Sequence, residues 1–135
     1  MTVNFWQRSI EVEVRVSQQH IRDFALLTGD DAAHHLDENV AREMGYKTTL
    51  GQGLLVLSFS GKASSEYLRI ISRNGVSYGY DKLRFPSPVY QGQLLTISYE
   101  PQEISEKNVV RSSLTVTTSE GGIALAGHHL LKLSI

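Results

Sequence analysis

The sequence predicts an α+β chain in which one antiparallel sheet curves around a single long helix. Three observations carry the prediction. A half-buried strand pattern lies near the start, a long segment apolar on nearly every side follows, and the second half alternates in polarity almost to its end. A run of strands after a helix, with no regular strand–helix alternation, points to an antiparallel sheet with helix packed on one face.

The elements follow in order. Ile10, Val12, Val14 and Val16 alternate with Glu11, Glu13 and Arg15, the period of a strand with one covered face. Ser17 is placed to cap a helix whose Ile21, Phe24, Ala25 and Thr28 share a side, and Gly29 ends it. Gly29 to Ala33 reads as a turn. Asp37 is placed to cap a short helix closed by Gly45. The segment from Gly53 to Ser72 is apolar around most of its circumference, which predicts a fully buried helix. At ~1.5 Å per residue it would be roughly 30 Å long. Gly61 and Ala63 are expected to keep it thin enough for a sheet to wrap. Val76 to Phe85 reads as a strand stopped by Pro86 and Pro88. Leu95–Tyr99, Val110–Val116 and Ile123–Leu133 mark three more. Turns are expected at Gln91-Gly92, at Glu106-Lys107-Asn108 and at Glu120-Gly121-Gly122. One domain over residues 1–135 accommodates all of this.

Composition narrows the function classes. With 135 residues, 41% apolar and 20% charged, the chain can build one sizeable core. A net charge of −1 without a run of like charges offers no basic face for nucleic acid. The absence of cysteine excludes disulfides, thiolate metal sites and cysteine nucleophiles. No apolar run has membrane-spanning length, and the opening residues lack a signal-peptide pattern. The expectation is a cytoplasmic protein with no membrane partner.

The richest polar cluster is Asp30 to Asp37, which includes Asp31, His34 and His35. Asp30 and His35 are five apart. A helix would set them ~140° apart and a strand would put them on opposite faces, so only a loop that doubles back can join them. A carboxylate and an imidazole sharing one water can take a proton from it and return one to a substrate carbon. Histidine suits this because its ordinary pKa, ~6.5, lies near working pH. The plain alternative makes the Asp a cap and the His a surface loop residue. Ser58 with His35 and Asp30 has the ingredients of a serine triad but lacks a nucleophile elbow, so its hydroxyl is expected to bond back to a helix carbonyl. His34, His35, Asp30 and Asp37 match no metal-ligand spacing, and no metal is expected. His128 and His129 face opposite sides of a strand, and His129 reads as a buried, hydrogen-bonded core residue. Phe5 and Trp6 are expected to pack the N-terminus or a subunit contact.

Four ordered stretches add a resemblance. Phe24-Ala25-Leu26-Leu27-Thr28-Gly29-Asp30 with His35 and Asp37 resembles the signature of the MaoC-like, (R)-specific enoyl-CoA hydratase/dehydratase family. In that signature the Asp is followed by x-Asn-Pro-x-His-x-Asp. Gln52-Gly53-Leu54-Leu55 resembles the family's His-Gly-Met-Leu at the start of its central helix. Leu83 to Gln93 is similar to its Phe-x-x-Pro-Val and Gly-Asp turn, and Gly121–Gly127 with Leu131–Leu133 fits its end. The likeness covers roughly residues 10–133 and implies a hot-dog fold. It implies reversible hydration of a trans-2-enoyl thioester to an (R)-3-hydroxyacyl thioester, on coenzyme A or an acyl carrier protein, in fatty acid or polyketide metabolism. Asp30 and His35 would be catalytic, Gly53 and Gln52 substrate-binding. The Gly53 N–H would polarise the thioester carbonyl, and no cofactor would be needed. A homodimer is expected. The departures are Ala32 and Ala33 for Asn and Pro, and Gln52 for His. The rival readings are a hot-dog thioesterase and a non-catalytic acyl-thioester-binding member of the fold.

Overall fold

The computed structural model of the protein describes residues 4–134. Met1–Val3 and Ile135, which belong to the expected 1–135 domain, lie outside the described residues. The elements run β1 (Ile10–Arg15), α1 (Gln18–Thr28), α2 (Ala33–Leu36), α3 (Glu38–Glu43), α4 (Gly53–Ile71), β2 (Asn74–Arg84), β3 (Leu94–Ile104), β4 (Val109–Thr118) and β5 (Ile123–Ser134). The five strands form one sheet in the order β1-β3-β4-β5-β2, and every neighbouring pair is antiparallel. Helix α4 packs against β1, β3 and β5. This is the hot-dog arrangement of the α+β class that the residue pattern predicts.

Strand alternation places the core. Leu95, Ile97 and Tyr99 of β3, Val110, Leu114 and Val116 of β4, and Leu125, Leu131 and Leu133 of β5 form one apolar cluster with Val56, Ala63 and Tyr67 of α4. Each large apolar side chain so covered contributes roughly 1.5–3 kcal/mol. Ala63 is fully buried on the sheet side of α4, where its small side chain allows close approach. The Tyr67 hydroxyl donates to the Trp6 carbonyl at 2.6 Å, so Trp6 fastens the N-terminal segment over the helix. Phe5 remains partly exposed under the Arg73 guanidinium, 4.5 Å above its ring. At the other edge, β2 changes register between Asp81 and Arg84. A Cβ on Gly127 would lie 3.0 Å from the Leu83 Cα, so only glycine lets β5 run this close beneath the irregularity.

Two expectations need correction. Helix α4 is not covered all round. Leu54 is 56% and Ile70 49% exposed, and Leu54, Ser58, Gly61 and Ser65 lie in a row along the open side. A Cβ on Gly61 would meet nothing within 4 Å, so Gly61 serves the open side and only Ala63 thins the wrapped one. The sheet leaves this side free because a single curved sheet reaches only the half of the helix facing it. The edge strand β2 also exposes apolar side chains, with Val76 64%, Tyr78 68% and Tyr80 38% exposed. The second correction is local. The turn expected over Gly29–Ala33 runs on into a single-turn helix, α2, closed by Asp37 N–H donating to the Ala33 carbonyl at 2.7 Å.

Candidate active site

Helix α1 begins where Ser17 predicts. The Ser17 hydroxyl accepts from His20 N–H at 3.0 Å, and His20 Nδ1 accepts from Ser17 N–H at 3.1 Å, a reciprocal cap in which His20 takes the place of Glu or Gln. The helix ends at Gly29, whose φ of 78° lies in the left-handed region that glycine enters without penalty. That reversal is the doubling back that brings Asp30 toward His35. The Asp30 backbone is tied at both ends. Its N–H donates to Thr28 Oγ1 at 3.2 Å, and its carbonyl accepts from Gln52 Nε2 at 3.2 Å. The Asp30 carboxylate accepts no hydrogen bond among the described residues, and its side chain is 38% exposed.

His35 sits on α2 and is buried. Its Nδ1 lies 2.8 Å from the Leu50 carbonyl. A carbonyl only accepts, so Nδ1 carries the proton in the neutral ring and Nε2 is left as an acceptor. Leu50 N–H donates in turn to the His34 carbonyl at 3.1 Å, which locks α2 to the segment ahead of α4. Nε2 faces Asp30 Oδ1 at 3.7 Å, beyond direct hydrogen-bond range. The structure thus brings Asp30 and His35 together, with two acceptors turned toward each other. Beside them, burial lowers the His34 pKa, the neighbouring His35 lowers it further, and Asp30 pulls it up. Asp37 belongs to the scaffold. Its Oδ1 accepts from Asn39 N–H at 2.9 Å and Val40 N–H at 3.4 Å, capping α3 as expected. Among the described residues, His34, His35, Asp30 and Asp37 do not gather into a metal-holding group.

The second half of the site is the start of α4. The first bond inside this helix runs from Val56 N–H to the Gln52 carbonyl at 3.1 Å, and no side chain caps the end. The Gly53 N–H therefore has no partner among the described residues and carries the partial positive charge of the helix start. Gly53 lines a cavity of about 210 Å³ with Leu50, Gly51, Val56, Phe85 and Val89. A Cβ on Gly53 would come within 3.4 Å of three Phe85 ring atoms, so glycine is what leaves room between the helix start and that ring. Leu50 joins the two halves, because its carbonyl holds His35 while the residue lines the cavity.

Gln52 does not stand with Gly53 at the cavity. It is fully buried, and its amide donates to the Ile21 carbonyl at 3.0 Å and the Asp30 carbonyl at 3.2 Å. Sequence reasoning missed three participants. The Leu50 carbonyl is a backbone group with no residue-level signal. Thr28 could have been found from its place just before the Gly-Asp turn. Phe85 belongs to the Leu-Arg-Phe-Pro stretch but gives no sign of facing Gly53. Elsewhere, Ser58 Oγ donates to the Leu55 carbonyl at 2.6 Å, as the plain reading of that residue expects. His129 is buried and bonded on both nitrogens, to Tyr99 OH at 2.8 Å and Ser77 Oγ at 2.9 Å. No helix among the described residues is long and apolar enough to cross a membrane.

Comparison with known proteins identifies the family and the fold. The family described as "MaoC like domain" matches residues 6–123. A 3-hydroxyacyl-thioester dehydratase Z of Mycobacterium tuberculosis is 26% identical over 114 residues, covering 82% of this chain and 76% of the relative. Among solved structures, the (R)-hydratase from A. caviae involved in PHA biosynthesis superposes with a TM-score of 0.85 at 22% identity, covering 95% of this chain and 96% of that one. The R-hydratase PhaJ1 from Pseudomonas aeruginosa superposes with a TM-score of 0.77 at 25% identity, covering 94% and 80%. The match spans most of the chain, including the Asp30–His35 loop and the start of α4, so the protein belongs to the MaoC-like dehydratases, a family of hydro-lyases.

Proposed function

We propose that this protein reversibly hydrates a trans-2-enoyl thioester to an (R)-3-hydroxyacyl thioester, with Asp30 and His35 sharing the water. The observation that carries this reading is the 3.7 Å gap between His35 Nε2 and Asp30 Oδ1. Two acceptors at that spacing suit a group that donates twice, and a water molecule donates one hydrogen bond to each. In the forward direction His35 Nε2 takes one proton of the water. The water oxygen bonds to C3 as the C2–C3 π bond breaks, and the electron pair moves onto the thioester oxygen. The Gly53 N–H, at the positive end of α4, stabilises that oxygen. The proton then passes to C2, which restores the neutral imidazole. Dehydration is the same path reversed. The thioester itself acidifies C2, so the step balances with no oxidant or reductant.

The substrate in this reading hangs from a phosphopantetheine arm, on coenzyme A or a carrier protein, with its carbonyl at Gly53 in the cavity under Phe85. The functional unit is a homodimer. The exposed residues Val76 and Tyr78 lie on β2, an edge strand of the sheet that pairing with a second copy would cover. Charging that edge with Val76→Lys and Tyr78→Lys should give a monomer by sedimentation. An unchanged particle mass would place the contact elsewhere. The function is tested with a mixed panel of enoyl, 3-hydroxyacyl and saturated acyl thioesters. Turnover of the first two without loss of thioester is expected. Release of free thiol from the saturated member would make the protein a thioesterase, and binding of all three without turnover would make it a binding member of the fold.

A further inference from the structure

We infer that Gln52 is a positioning residue, one that aims the Asp30 carboxylate by holding the Asp30 carbonyl; the inference rests on the reading of Asp30 and His35 given above. Gln52 is 0% exposed, and a buried amide is tolerated only where its hydrogens find acceptors. Both acceptors here are backbone carbonyls, of Ile21 in α1 at 3.0 Å and of Asp30 at 3.2 Å. Carbonyls cannot donate, so they fix which end of the amide faces them. The amide keeps this orientation although Oε1 is buried without a partner, so the two donor bonds decide it.

The consequence falls on Asp30. Its N–H is held by Thr28 Oγ1, itself anchored by a 2.6 Å bond to the Phe24 carbonyl. Its carbonyl is held by Gln52. With both flanking groups tied, the side chain leaves the backbone in one direction while the carboxylate stays free to act. Among the described residues no other hydrogen bond holds the Asp30 carbonyl, and Ala32, the N-cap of α2, adds no side-chain cap. The inward turn of Gln52 has a second effect, since the side chain does not fold back onto the first N–H groups of α4. One buried amide therefore keeps Asp30 aimed and leaves the Gly53 N–H open.

The test is a double-mutant cycle with steady-state rates on an enoyl thioester, using Gln52→Met, Asp30→Asn and the pair. Gln52→Met keeps the length and loses both donors. It should lower kcat about tenfold with KM within twofold, and it should shift the acid limb of the kcat pH profile. In the Asp30→Asn background it should cost less than twofold, because the group it positions is already disabled. Gln52→His, which restores a ring donor, should keep at least a third of kcat. Equal losses from Gln52→Met in both backgrounds would overturn the inference, and so would a rise in KM at constant kcat, which would make Gln52 a substrate-binding group. If Gln52→Met does not fold, Gln52→Asn runs the same cycle, being polar but one methylene too short to reach Asp30. Full activity of Asp30→Asn alone would instead sink the parent reading, an outcome distinct from both.

Discussion

Two histidines in this protein are bonded alike on one side and differently on the other. His35 and His129 are both buried, and each has Nδ1 2.8 Å from an oxygen. His129 also has Nε2 occupied, by Ser77 Oγ at 2.9 Å, and its ring lies 4.9 Å from that of Tyr80. Among the described residues His35 Nε2 has no hydrogen bond and is turned toward a carboxylate that accepts none. One imidazole, on β5, is saturated and ties β2 beside it to β3, two strands away on the other side. The other keeps one acceptor in reserve beside a group that can share a proton. Burial and residue type are the same for both rings; what separates them is the lone pair that His129 has engaged and His35 has not.

The widest break between the two should come from removing them in turn. His35→Ala and Asp30→Asn are each expected to lower turnover by roughly 10²–10⁴, the usual weight of a positioned acid–base group. His129→Gln, far from the reacting atoms, should stay within about threefold of the parent. Near-normal hydration by either His35→Ala or Asp30→Asn, measured as the change in enoyl absorbance, would dissolve the distinction.

The next effect is on stability. Burial pushes the His129 pKa from 6.5 down to about 4. The unfolded chain therefore binds a proton near pH 6.5 that the folded chain refuses until about pH 4, and the fold loses stability as the pH falls through that window. At about 1.4 kcal/mol per pH unit the loss across the whole window has an upper limit of roughly 3–4 kcal/mol. Urea unfolding at pH 7 and pH 4.5 should show a steeper loss for the parent than for His129→Gln. Equal losses would mean that the buried ring accepts its proton without cost.

The smallest effect sharpens the catalytic side. Ala32 is the N-cap of α2, with φ −51° and ψ 142°, and Ala33 is its first helical residue. Asparagine would supply the missing cap, and proline suits a first helical position preceded by an extended residue. Ala32→Asn with Ala33→Pro should raise stability by about 1 kcal/mol, seen as a higher Tm. Activity on a straight-chain enoyl-CoA should be preserved or raised. If the native substrate is bulkier or carrier-bound, the same change should slow it while sparing the simple one.

Much of this was legible without coordinates. Alternation of apolar residues set the strands, Ser17 and Asp37 announced their helices, and Gly29 announced the reversal between Asp30 and His35. The pattern also placed His129 in the core and Ser58 on a helix carbonyl. Two misjudgements have one physical cause. Periodicity reports how apolar a helix is on each side but not which neighbours exist to cover it, so the open side of α4 and the role of Gly61 were invisible. The resemblance likewise put Gln52 beside Gly53 as a substrate-binding residue without saying which way its side chain turns.

The sequence by itself determined the α+β class, the order of its elements and the reversal at Gly29 that lets Asp30 approach His35, because these depend on period, capping and local turn chemistry. Only the tertiary structure decided that His35 keeps Nε2 free, that Leu50 supplies the carbonyl fixing its tautomer, and that Gln52 faces Asp30 and not the cavity. Those outcomes depend on which backbone carbonyls arrive within 3 Å or so of a side chain, and such meetings join residues 15, 22 and 31 positions apart.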